Sequence, residues 1–194
     1  MTRIGIILGS TRPGRKSEAV AEWVLAAAAQ RDDAEFELVD LRDYPLPFFE
    51  EEISPAWAPP QTEQVKAWSE KIASFDGFVF VTPEYNHSTS AVLKNAIDYV
   101  YSEWNNKAAA FVAYGGAGGA RAVEHLRLIA AELEIATVRH QVGLSLMTDF
   151  VNFTELAPSE YQVQNLGKAL DGVVAWSKAL EPLRATDDQD QAAA

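Results

Sequence analysis

The chain has no cysteine, which excludes disulfides, a thiolate nucleophile, cysteine-ligated zinc and iron–sulfur clusters. Any redox chemistry must then come from a bound cofactor. Long apolar runs are also missing: no stretch approaches the ~20 residues of a bilayer-spanning helix, and the amino terminus lacks the features of a secretory signal. A cytoplasmic protein with no membrane partner is expected, and the Asn-x-Ser/Thr triplets at Asn86 and Asn152 read as chance matches. Positive charge is scarce, with 16 Lys and Arg against 28 Asp and Glu and a formal net charge of -12. That balance repels a phosphate backbone and argues against nucleic acid as a partner. Absent too is the Gly-x-Gly-x-x-Gly fingerprint after the first apolar run, where only Gly9 and Gly14 occur. NAD bound tightly in the dinucleotide manner is thereby disfavoured.

What is present is a chain of 194 residues, 48% hydrophobic and 23% charged, the composition of a globular protein. Residues 1–182 are expected to form one domain, and the acidic stretch 183–194 a disordered tail. Apolar runs at residues 3–8, 36–41, 77–82, 108–113 and within 137–146 alternate with helix-patterned segments. Five such alternations imply an α/β fold, a parallel sheet covered by helices on both faces. In the flavodoxin-like strand order 2-1-3-4-5 the ligand crevice lies between strands one and three. Residues 42–60 interrupt the alternation with Pro45, Pro47, Pro55, Pro59 and Pro60, the aromatics Phe48, Phe49 and Trp57, and the run Glu50-Glu51-Glu52. Such a loop either serves as a lid or subunit contact or packs onto its own domain.

Three polar loops follow strands one, three and four, so the topology brings them to one cleft. The first, Gly9 to Ser17, runs from a buried strand into a helix start, where free N–H groups and the helix dipole favour a phosphate. Its resemblance to the ATP-binding loop fails because the lysine comes one residue late and strand three ends in Thr82-Pro83-Glu84, without a magnesium-binding aspartate. A mononucleotide is the remaining fit. Hydroxyls of Ser10, Thr11 and Ser17 can donate to phosphate oxygens, and Arg12 or Arg15 offers a planar fork. Pro83 to Asn86 and Tyr114 to Gly119 would flank a flavin ring, with Tyr85 as an aromatic wall and glycines admitting the main chain. Asn86 either pairs with a flavin edge or caps its own backbone. His87 reads as a loop histidine, and Glu84 is not needed as an acid because hydride transfer is the cofactor's chemistry.

Gly9-Ser10-Thr11-Arg12-Pro13-Gly14-Arg15, then Pro83-Glu84-Tyr85-Asn86-His87-Ser88 and Leu93-Lys94-Asn95-Ala96-Ile97-Asp98, resemble the NADPH-dependent FMN reductase family over residues 3–146. The resemblance implies a flavodoxin-like three-layer sandwich with FMN phosphate held by Ser10, Thr11, Arg12, Arg15 and Ser17. It also implies ring contacts from Pro83, Glu84, Tyr85 and Asn86, and places Gly115 and Gly116 in the family's third loop. It implies further an enzyme passing a hydride from NADPH or NADH through N5 of FMN to a small acceptor: a flavin, quinone, azo compound or metal oxyanion. No metal and no catalytic side chain are expected, and the assembly would be a homodimer or homotetramer, for which Tyr99, Tyr101 and Trp104 would suit an interface. The alternative is a non-enzymatic electron carrier of the flavodoxin type, favoured by the acidity because such carriers dock on basic partners.

Overall fold

The computed structural model describes residues 1–185. Strands β1 (Arg3–Leu8), β2 (Glu35–Asp40), β3 (Gly77–Pro83), β4 (Ala108–Gly115) and β5 (Ala136–Ser145) form one sheet in the order β2-β1-β3-β4-β5. All its pairings are parallel. β3 and β4 are buried at every position, as central strands covered on both faces must be. The mixed pattern of β2 matches its place at an edge. Helices α1 (Ser17–Ala28) and α5 (Glu160–Ala179) cover one face, whose core includes Ile4, Ile6, Val24, Val79, Val112 and Val173. On the opposite face α2 (Glu63–Ala73), α3 (Ala91–Asp98) and α4 (Ala120–Glu132) enclose Ile7, Trp68, Phe78, Phe80, Phe111 and Leu126. Successive strand residues thus feed opposite cores, the period-two rule of a strand.

Chain order reverses between β1 and β3, where the carboxyl ends of adjacent strands diverge into loops. Gly9 makes the close approach possible: its N–H donates to the Val81 carbonyl at 2.8 Å, and a Cβ there would lie 2.8 Å from the same oxygen. Beyond β5, a short hairpin pairs β6 (Phe150–Val151) with β7 (Glu155–Leu156) where the sequence reads as irregular.

Two features depart from the expectations above. Tyr99 and Trp104 are 1% and 0% exposed, so neither forms a subunit contact. The Trp104 ring packs 4.8 Å from Phe78 and 6.2 Å from Trp68, and its Nε1 donates to the Ile97 carbonyl. Trp104 fills the core between sheet and helices in ring contact with Phe78, Phe80 and Trp68. The long loop does two things at once. Asn95 accepts from Phe49 N and donates to the Pro47 carbonyl, and Tyr99 Oη donates to the Phe48 carbonyl, so the loop's first half is fastened to α3. Phe48 and Trp57 nevertheless point outward, 84% and 85% exposed. Of the expected tail, residues 183–185 are helical and Arg184 donates to Asp76 at 2.9 Å, while residues 186–194 lie outside the described residues.

Candidate functional site

The loops after β1, β3 and β4 meet in a cleft of about 260 Å³ lined by Arg12, Pro13, Gly14, Arg15, Lys16, Pro83, Glu84, Tyr85, Tyr114, Gly115 and Leu146. Ser10 lies just behind the wall, its hydroxyl 3.1 Å from Tyr85 Oη, which ties the first loop to the second. Thr11 is half-buried and Asn86 and Gly116 are exposed, and none of the three is among the residues that line the cleft. Asn86 and His87 both have left-handed backbones, φ 47 and 73, and form the apex of a two-residue turn closed by Tyr85 and Ser88. Of the other lining residues, Tyr114 opens the loop expected to flank the ring and Lys16 belongs to the first loop's cationic cluster, whereas Leu146 is one that the sequence does not single out. Leu146 reaches the cleft as its N–H donates to the Gly115 carbonyl at 3.1 Å, a contact that extends the pairing of the neighbouring strands β4 and β5 past their ends.

The first helix start is open to a ligand. Lys16 occupies the cap position of α1 without a side-chain cap bond, and Ser17 is the first helical residue. By contrast Thr62 and Ser90 cap α2 and α3 with their own hydroxyls. The leading N–H groups of α1 have no intrahelical acceptor and present the positive end of the dipole. Two buried hydroxyls lie beside it: Ser17 Oγ and Tyr114 Oη neighbour one another and find no further hydrogen-bond partner among the described residues. Burial pushes the Tyr114 phenol far above its ordinary range, so it remains a donor. Leaving such groups unpaired is costly unless a ligand or water meets them.

The cations divide into two kinds. Arg15 is spent inside the protein: its guanidinium is 1% exposed, pairs with Asp40 and with Glu18 at 2.7 Å, and donates to the Ser10 carbonyl at 2.6 Å. The Asp40 hydrogen bond is the main cause that raises its pKa and keeps it charged. Arg12 is exposed and Lys16 half-buried, and neither makes an ion pair among the described residues. These two are the charges left to meet an anion.

Glu84 is also engaged. Its carboxylate accepts from Arg121 N at 3.1 Å and from the Arg121 guanidinium. Burial pushes its pKa up, but the Arg121 hydrogen bonds outweigh that and hold the group below the ordinary carboxylate range. At Asp40 burial again opposes and Arg15 again wins, with the same downward result. Each therefore adds stability that is complete above about pH 4 to 5 and is lost as pH falls through the lowered native value. The gap in melting temperature between the wild type and Asp40→Asn is expected to be widest near neutrality and to close as the buffer is taken towards about pH 3. A gap of constant width across that series would show that Asp40 contributes no charge-dependent stability.

A family described as NADPH-dependent FMN reductase matches residues 2–149. The chain is 35% identical over 181 residues to an NAD(P)H-dependent FMN reductase of Schizosaccharomyces pombe, covering 92% of this chain and 90% of that one. It is 36% identical over 155 residues to an NAD(P)H:quinone oxidoreductase of Solanum tuberosum, covering 78% and 71%. Among solved structures, FerB, a flavoenzyme NAD(P)H:(acceptor) oxidoreductase from Paracoccus denitrificans, superposes with a TM-score of 0.71 at 22% identity, covering 92% of this chain and 98% of that one.

Proposed function

This chain belongs to the NADPH-dependent FMN reductase family, and on that premise we propose that its cleft seats FMN with the phosphate at the start of α1 and the ring between the β3 and β4 loops. The protein is an NAD(P)H-dependent oxidoreductase. When bound there, FMN would supply the redox chemistry, hydride acceptance from NAD(P)H and electron delivery to a second acceptor.

One observation carries the assignment. The cations Arg12 and Lys16, which make no ion pair among the described residues, line one cleft with Tyr114, and Lys16 opens the uncapped start of α1, where the buried hydroxyl of Ser17 follows. Such a donor set suits a dianionic phosphate. In this reading Arg12 and Lys16 neutralise the phosphate, Ser17, Thr11 and the α1 N–H groups donate to it, and Ser10 holds Tyr85 upright. Arg15 shapes the loop from below. Pro83, Tyr85, Tyr114 and Leu146 exclude water from the ring's surroundings, and Gly115 and Gly116 let the main chain approach. Residues 1–182 would then act as one FMN-binding domain. The electron-carrier alternative loses ground because the curated relatives are named as reductases. For the acceptor, relatives named as quinone oxidoreductases support a quinone or another planar small molecule, and we place the reaction in a cytoplasmic homo-oligomer.

The test is spectroscopic. FMN-loaded protein mixed anaerobically with NADPH should lose its absorbance near about 450 nm, the band of oxidised flavin, and regain it on addition of a quinone. A bound flavin left oxidised by both NADPH and NADH would sink the assignment.

A further inference from the structure

The β3 and β4 loops that flank the proposed ring site are joined by more than sheet pairing. Glu84 is fixed at both ends: its N–H donates to the Tyr114 carbonyl at 2.9 Å, and its carboxylate, 4% exposed, is turned onto the first turn of α4. That helix begins after Gly119 with no side-chain cap bond from its own segment. The Glu84 carboxylate supplies one from another strand, accepting the Arg121 N–H at 3.1 Å and placing negative charge at the helix start, where the dipole favours it. The Arg121 guanidinium folds back onto the other carboxylate oxygen. Its Nη1 lies 3.2 Å from His87 Nδ1. Arginine has only donors, so Nδ1 is the acceptor in that contact. Gly115 closes the join, since a Cβ there would stand 3.0 Å from Glu84 Cβ.

We propose that Glu84 and Arg121 form a clasp that sets the width of the slot between the two loops, and so position the ring end of the cofactor. The proposal rests on the assignment of the cleft to FMN. The clasp reaches from the slot wall to the left-handed turn at Asn86 and His87, a conformation that non-glycine residues keep only where their surroundings enforce it. Both Glu84 oxygens are committed to Arg121, so the residue holds a shape and moves no proton. Arg121 itself is half-exposed and lies outside the cleft lining, which makes it a positioning residue.

Riboflavin, which lacks the phosphate, separates the two ends of the site. Flavin fluorescence titrations are read for FMN and riboflavin on the wild type, Arg121→Gln, Arg121→Lys, Glu84→Gln and the double variant. Arg121→Gln should weaken both ligands by the same factor, roughly tenfold, the scale of a charge-assisted hydrogen bond. Arg121→Lys should recover part of that loss. The double variant should bind no worse than the weaker single one, because the two residues act as a unit. Arg121→Gln tests the clasp even if Glu84→Gln fails to fold. Unchanged riboflavin affinity in Arg121→Gln, or a loss confined to FMN, overturns the clasp while leaving the cofactor assignment standing. A wild type that binds neither flavin overturns that assignment and the clasp with it.

Discussion

Arg15→Ala is expected to lower the stability of the apoprotein by about 3 kcal/mol, and Arg12→Ala to leave it nearly unchanged. The residues are three apart on one loop and carry the same charge, but their surroundings differ. Removing Arg15 strips a buried fork from Asp40, from Glu18 and from the Ser10 carbonyl. The expected loss sits at the low end for a broken buried pair because Asp40 keeps 26% of its side-chain surface in water and can be partly rehydrated. Arg12 pairs with nothing that its loss would strand. For FMN the order reverses in kind: Arg12→Ala should weaken binding by about 1.5–3 kcal/mol, the range for a hydrogen bond to a charged group, with folding intact. Urea titration of the apoproteins and FMN titration of the folded ones read the two effects separately. Equal stability of the two variants would refute the internal role of Arg15.

Trp104→Ala should cost about 3–5 kcal/mol, the range for deleting a large aromatic from a core. The ring is fully buried against Trp68, Phe78 and Phe80, and its removal also leaves the Ile97 carbonyl without the indole donor. The cavity would open beneath β3, whose end carries Pro83 into the cleft. The measurement is a pair: a denaturation midpoint, and the elution volume of protein that remains folded. A lower midpoint with unchanged elution marks Trp104 as core. Dissociation of an oligomer without loss of midpoint would restore it to an interface.

Periodicity made the architecture legible. Ile4 to Leu8 and Gly77 to Val81 are uninterrupted apolar runs of strand length, as strands buried on both faces of a parallel sheet require, and their alternation with helix-patterned segments gave the topology and with it the cleft position. Residue chemistry was less legible than residue position. An arginine in a phosphate-like loop looks the same whether it faces a ligand or an internal carboxylate. Asp40, which claims Arg15, sits 25 residues away at the end of an edge strand and becomes a neighbour only when β1 and β2 align. Lys16 belongs to the same cationic cluster as Arg12 and Arg15, and although it misses the ATP-loop spacing its place at the helix start puts it in the cleft. Leu146 and the Glu84–Arg121 pair depend on contacts between strand ends that no single segment encodes. Trp104 misled for a related reason: a cluster of aromatics at a helix end has the same composition whether it lies inside a core or on a surface.

The cleft takes residues from Arg12 through Leu146 and closes through the hydrogen bond from Leu146 to Gly115. Chain emerging from a ribosome presents the amino-terminal loop long before β5 exists, and parallel pairings between distant strands form slowly. The pocket is therefore expected to be among the last parts of the molecule to be completed. A ligand that binds only the completed pocket is absent from the folding transition state, so it leaves the rate of folding unchanged and acts wholly by retarding unfolding. Its supply sets how long each finished molecule persists, and has no bearing on how fast new ones form.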